Sequence, residues 1–382
     1  MFILPKNLLQ ISTLAFIFAL GLAGCSSEQT AEQDAPMSLT EWLDAEYEEQ
    51  LMRSPMNLTY LGRSERKDEL DEFTFESYKA DLAWEAASVA EMESRFDRAK
   101  LSESEQLSYD LWKYSYEQSA SGEAYFYSGL VFDQMNGIHS FIPTFLINFH
   151  TVENVADLEA LISRLNLIKP RMMDALDIAR ESSKRGVVAP YFAMDGVADQ
   201  SRKIISGQPF DAEAETDSAI WADVQIKVAG LLENDLLTED EASALQAEAK
   251  AALLSSFGPA YEAIIAWAEE ERLSSPEVAT GIGAQEGGDA YYAHLLAQQT
   301  TTDLSADEIH TIGLNEVTRL RNEMLGIMDE VEFQGDLQAF FEEVRTGEWN
   351  YYPDTDEGRQ AYIDDATAAI DNLKTLLPKY FG

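Results

Sequence analysis

From residue 38 onward, apolar side chains recur every three to four positions along most of the chain. That is the period of helices that bury one face. Ser38-Leu39-Thr40-Glu41 reads as a capping box opening a helix to about residue 53, ahead of Pro55, and Gly62 closes the short segment that follows. FTFESYKADLAWEAASVAEMESRF (73–96) predicts a long amphipathic helix. Ser102-Glu103-Ser104-Glu105 opens the next, on which Leu107, Leu111, Tyr114 and Tyr116 are expected to supply core. Further helices are predicted over 155–168, 171–184, 191–206, 219–231 and 238–256, and another to about 273. Four more follow over 290–299, 305–329, 335–345 and 356–376.

The punctuation between them comes from proline and glycine. Gly137 and Pro143 interrupt 133–150, which predicts a loop and a short buried segment. Pro170 separates two helices, Gly186 ends the second, and Phe257-Gly258-Pro259 breaks a third. SSPEVATGIGAQEGGDAYY (274–292) predicts a loop or short hairpin. No self-similarity at a period of about 33 to 47 residues marks a repeat array. The expected fold is mainly α, with long antiparallel helices and little strand, in one large unit over 37–382.

The N-terminus breaks this pattern. Lys6 precedes an apolar run from Ile11 to Ala23, the basic and hydrophobic regions of an export signal. The run is short for a membrane-spanning helix, which needs ~20 residues. It ends in Leu22-Ala23-Gly24-Cys25, which resembles the lipobox of bacterial lipoproteins. That resemblance implies a signal peptide over 1–24, cleavage before Cys25 and lipidation there, so that the membrane is a partner through the N-terminal lipid. Ser26-Ser27, with no Asp after the Cys, implies sorting to the outer membrane, with the body in the periplasm. Residues 25–36 are small and polar, a lipidated flexible tether. Cys25 is the only cysteine, which excludes an intramolecular disulfide and a cysteine metal cluster.

Composition is globular, 46% hydrophobic and 25% charged, with net charge −42. Such acidity argues against nucleic acid and against an anionic membrane surface as partners. It leaves two readings, plain solubility or an acidic groove for cationic substrates.

Candidate chemistry is sparse. Asp307, Glu308, His310 and Glu316 are metal-ligand types at helical spacing, but Asp307-x-x-His310 is one imperfect copy of a di-metal pattern that needs two. The four histidines His139, His150, His294 and His310 include no H-E-x-x-H pair. GIGAQEGG (281–288) has Glu286 where a dinucleotide fingerprint needs glycine, and no strand before it. There is no G-x-S-x-G elbow. No catalytic residue and no metal ligand is therefore assigned in this chain.

Four stretches together carry a family likeness: DQMNGIHSFIPTFLINFH (133–150), RGVVAPYF (185–192), the run 281–324 containing TTTDLSADEIHTIGLNEV, and LKTLLPKYFG (373–382). From about residue 37 to the end, the chain resembles family 885 of bacterial domains of unknown function, common among exported lipoproteins. Members resemble helical zinc metallopeptidases of the gluzincin type. The resemblance implies a zinc motif, H-E-x-x-P-G-H, well downstream of the matched run. The sequence reaches Gly382 before any such motif. It also carries Glu286 where the family often has Pro. The expectation is thus the N-terminal scaffold of a peptidase-like lipoprotein. Zinc is expected only in a full-length form, and this chain should be inactive by itself. Asp307–His310 is expected to pack within that scaffold, and Tyr291 and Tyr292 are weak candidates for lining a peptide-binding cleft. The alternative is a non-catalytic lipoprotein that binds a peptide or partner.

Overall fold

A computed structural model describes residues 37–381. The signal peptide, Cys25 and the tether lie outside the described residues. The architecture is mainly α, and only isolated β-bridges occur among the described residues.

The N-terminal layer is α1 (Leu39–Arg53), α2 (Pro55–Tyr60), α3 (Phe75–Arg95) and α4 (Glu103–Gly122). Both expected capping boxes form, Ser38 with Glu41 and Ser102 with Glu105. α3 and α4 are antiparallel: Tyr78 at the start of α3 donates to Ser119 O near the end of α4 (2.7 Å), while Lys113 meets Glu93 (2.6 Å). The α4 register differs from expectation. Tyr109 and Trp112 pack with Leu39, Trp42 and Met92, and Leu107, Leu111 and Tyr114 are exposed. Both stripes are apolar, so only the neighbouring helix decides which is covered.

The main core is built by α5 (Ile138–Asn148), α6 (Val155–Lys184), α7 (Tyr191–Ile204), α8 (Ala219–Glu233), α9 (Glu239–Ala252) and α10 (Gly258–Arg272). Three predicted breaks prove continuous, each for a visible reason. A proline removes the N–H that would bond the carbonyl four residues earlier. In α5, Pro143 frees His139 O, and the buried Tyr261 hydroxyl donates to it (2.6 Å). In α6, Pro170 frees Asn166 O, and Ser256 Oγ donates to that carbonyl (2.9 Å) while accepting from Lys169 N (2.9 Å). Residues 155–184 are therefore one helix of 30 residues. Between α9 and α10 the chain takes a π-turn over Leu253–Phe257, with Gly258 N–H bonding Leu253 O. Pro259 falls in the first turn of α10, where its missing N–H costs little.

A buried cation ties the two layers together. Arg164 on α6 is fully buried and has no direct carboxylate partner. It donates to Glu69 O (2.8 Å), Pro55 O (3.2 Å) and Thr59 Oγ1 (2.7 Å), and meets His150 Nδ1 at 2.9 Å. For Nδ1 to accept, His150 must carry its proton on Nε2, which then donates to Asp157 O (2.9 Å). Burial, only partly offset by that carbonyl, holds His150 down at about 3, and the nearby positive Arg164, Lys67 and Lys227 act in the same direction. This network fixes the 61–74 loop against α6, and with it the first wall of the groove described below.

The C-terminal third is different. It comprises α11 (Gly288–Thr300), α12 (Ala306–Glu330), α13 (Leu337–Thr346) and α14 (Asp356–Tyr380). Gly288, Met328 and Gly358 are the buried residues of these helices. α12 carries Ile309, Ile312, Val317, Leu320, Met324 and Ile327 along one stripe, and α14 carries Tyr362, Ile370, Leu373, Leu377 and Tyr380 along another. Most of these are open to solvent, Val317 by 67% and Leu373 by 58%. Among the described residues no helix is long and apolar enough to cross a membrane.

Candidate functional site

The segment 274–287 contains no hairpin. It is a loop with a 3-10 turn at Ile282–Ala284, folded tightly onto the start of α11. Gly287 sits in the left-handed region (φ 72°), and a Cβ on Gly288 would lie 1.9 Å from Ile282 O. Only glycine fits there, so the glycine-rich run serves backbone close approach.

This wrap aims α11 at the 122–129 segment. Tyr291 is half-buried. Its ring stacks on Tyr125 (centroids 5.5 Å, 28°), and His294 one turn later stacks on the same ring (4.7 Å, 26°). Gly129 leaves room for the phenol: a Cβ there would sit 3.2 Å from Tyr291 Oη. Burial raises the Tyr291 phenol above its ordinary value, so it remains a neutral hydrogen-bonding group at physiological pH. Tyr292 points elsewhere on the helix and is 44% exposed. The structure thus brings Tyr291 into an aromatic cluster and leaves Tyr292 at the surface.

The next residue, Phe126, belongs to a second site. A groove of about 370 Å3 runs between α3 and α6. Phe73, Tyr78, Phe126, Val131, Ile138 and Ile178 form its apolar walls, and Glu72 and Asp81 stand at its edge. Phe126 packs on Phe75 (4.9 Å) and Tyr78 (5.1 Å). The edge acids are already engaged, Glu72 with Arg171 (3.1 Å) and Asp81 with Arg53 (2.6 Å). One turn beyond Asp81, Glu85 has a buried Oε2 with no protein partner, and burial pushes its carboxyl up. Tyr78, Tyr125 and Phe126 are not singled out by the sequence, and His294 is named there only as one of four histidines without a metal pattern. The only signal was the aromatic density of EAYFYSG (123–129), which reads equally well as core.

The Asp307–Glu316 run has local roles. Glu308 completes a capping box with Ser305, Glu316 pairs with Arg319 (2.7 Å), and Asp307 and His310 are exposed. The expectation that Asp307–His310 packs inside a scaffold is not met within the described residues, because no other element covers α12 there. Nor do the histidines converge. His139 and His150 are buried on internal partners, His294 stacks on Tyr125, and His310 faces solvent. Among the described residues no three His, Cys, Asp or Glu side chains form a metal-sized group. The residues present do not fit a zinc site. The groove and the tyrosine cluster can recognise apolar and aromatic groups.

Residues 55–382 match the family profile described as "Bacterial protein of unknown function (DUF885)". The chain belongs to this family. A search of curated proteins finds no match. Among solved structures, the chain is similar to one titled "The crystal structure of the putative lipoprotein from Colwellia psychrerythraea", at 17% identity and a TM-score of 0.68. The match covers 89% of this chain and 60% of that one, so this chain spans about three-fifths of its solved relative's length. At that identity the likeness speaks for the fold.

Proposed function

We propose that this DUF885 chain is the N-terminal scaffold portion of an exported zinc-metallopeptidase-like lipoprotein. Cys25 carries the lipid, residues 25–36 are the tether, and the helical body from residue 37 stands in the periplasm at the outer membrane. Peptide hydrolysis and zinc belong to a longer form, whose additional chain supplies the metal ligands. The observation that carries this reading is the exposed apolar stripe on α12 and on α14. Two helices of 25 residues each with an open apolar row lack the packing that normally stabilises helices. The solved relative is longer, with two-fifths of it outside the match, which accords with a longer form. Tyr291 and, at the surface, Tyr292 then contribute to a wall of the cleft.

The test is dye binding and self-association of the purified chain, alongside peptide hydrolysis with and without added zinc. Strong dye binding that falls when Leu373→Glu and Val317→Glu are introduced, with no hydrolysis, is the expected result. A monomer that binds no dye, or metal-dependent hydrolysis by this chain alone, would overturn the reading.

A second reading rests on the groove. A 370 Å3 apolar trough with a settled charge edge suits an apolar side chain of a peptide or partner, and needs no metal. Saturable peptide binding by a monodisperse chain, abolished by Ile178→Asp in the groove wall, would favour a non-catalytic binding lipoprotein.

A further inference from the structure

The side-chain hydroxyls that line the groove between α3 and α6 are already used. Thr74 and Ser77 close the capping box of α3, and the Tyr78 hydroxyl donates to Ser119 O (2.7 Å). The lining therefore offers a ligand apolar surface and two carboxylates, Glu72 and Asp81, with no basic side chain among them.

The cations that reach these acids come from outside the lining, and each faces more than one acid. Arg171 meets Glu72 at 3.1 Å and Asp174 at 3.6 Å. Burial raises the Asp174 carboxyl, and the charges of Glu72 and Asp177 add to this against the pull of Arg171. Asp177 keeps its own partner, Arg180 (3.0 Å). At the other end Arg53 holds Asp81 (2.6 Å), and its field also reaches Glu85, one turn further along α3. Lys79 on the same helix lies over the Phe75 ring instead (4.8 Å). Each end of the edge thus sets one guanidinium against two carboxylates. The ends are close enough for one short peptide to meet either. From Thr74 to Asp81 the helix rises about 10 Å, at 1.5 Å per residue. An extended chain advances about 3.3 Å per residue, so a side chain anchored mid-groove has neighbours one or two positions away abreast of each acid pair.

We propose that the groove selects a cationic–apolar peptide: a large apolar side chain fills the trough, and a lysine or arginine within two residues of it sits on the Glu72–Asp174 or the Asp81–Glu85 pair. This deepens the groove-binding reading above and rests on it. The incoming cation offsets the excess charge without displacing Arg171 or Arg53, and the same edge repels an acidic peptide. A net charge of −42 attracts any cation weakly, so the apolar anchor and the local acids each need their own control.

The test is fluorescence anisotropy with the purified full chain and three labelled peptides of one length, centred on Lys-Phe-Lys, Gln-Phe-Gln or Lys-Ala-Lys. Lys-Phe-Lys should bind saturably, about two- to five-fold tighter than Gln-Phe-Gln, with the gap closing as salt rises. Lys-Ala-Lys should bind more weakly than Lys-Phe-Lys by at least that factor. Asp174→Asn combined with Glu85→Gln leaves each guanidinium one acid and should erase the preference for lysine. Equal affinity for Lys-Phe-Lys and Gln-Phe-Gln would overturn the selectivity and leave groove binding standing. No saturable binding of any peptide would overturn both. Equal affinity for Lys-Phe-Lys and Lys-Ala-Lys, or a preference that survives the double variant, would assign the attraction to the acidic surface at large and overturn the proposal as well.

Discussion

Acid should unfold this protein through His150. Its imidazole is fully buried, with Arg164 on Nδ1 and the Asp157 carbonyl on Nε2, so protonation would set an Nδ1–H donor against the guanidinium while Nε2–H keeps its carbonyl. The folded value of about 3 lies well below the unfolded 6.5. Between these values the unfolded chain binds the extra proton and the folded chain does not. Stability from this group is therefore fully present above about pH 7 and is lost as pH falls through the window. At about pH 5 the loss is ~2 kcal/mol, and by about pH 3 it approaches ~5 kcal/mol, an upper bound. The assay is urea unfolding at several pH values between about 8 and 5. The background is not flat, since a net charge of −42 relaxes as carboxylates protonate, and His139 is also held low by burial. His150→Gln removes these shared terms from the comparison. Its amide can accept from Arg164 and donate to Asp157 O but does not titrate in this range. The variant should be less stable at pH 8 yet lose ~2 kcal/mol less than the parent on going to pH 5. Parallel pH profiles for the two proteins would refute the assignment of His150 as a buried neutral acceptor.

Other expectations concern the repaired helices and the tyrosine cluster. Ser256→Ala strips partners from Asn166 O and Lys169 N in α6 and should cost ~1–3 kcal/mol, read as a lower urea midpoint; an unchanged midpoint would mean that α6 tolerates Pro170 without help. Tyr261→Phe should cost ~1–2 kcal/mol by leaving His139 O unbonded beside Pro143, and a neutral result in thermal unfolding would remove that hydroxyl from the account of α5. Gly129→Ala presses a methyl against the Tyr291 hydroxyl at 3.2 Å and should destabilise by ~1–3 kcal/mol. Tyr291→Phe should relieve much of that penalty, so an additive double-mutant cycle would place Tyr291 away from Gly129.

Much of the secondary structure was legible because it is local. Ser38, Ser102 and Ser305 each sit three residues before a glutamate, and each forms the capping box that this spacing requires. The amphipathic period gives most helix positions, and the mainly α class and the family likeness follow from the same chain. What tertiary structure decided was continuity and coverage. Pro143 and Pro170 are helix breakers by their own chemistry. Tyr261 and Ser256, about 90 to 120 residues away in sequence, supply the missing hydrogen bonds, and no local rule can see them. Leu107 and Leu111 could have been core as readily as Tyr109 and Trp112, because periodicity finds an apolar face without naming its partner. The same limit governs function. Tyr291 gains a place only when the glycine wrap carries α11 to Tyr125 and Gly129, contacts more than 160 residues apart in the chain. The absence of a motif is a local fact and could be read directly, whereas a site is a meeting of distant side chains, and folding alone brings those together.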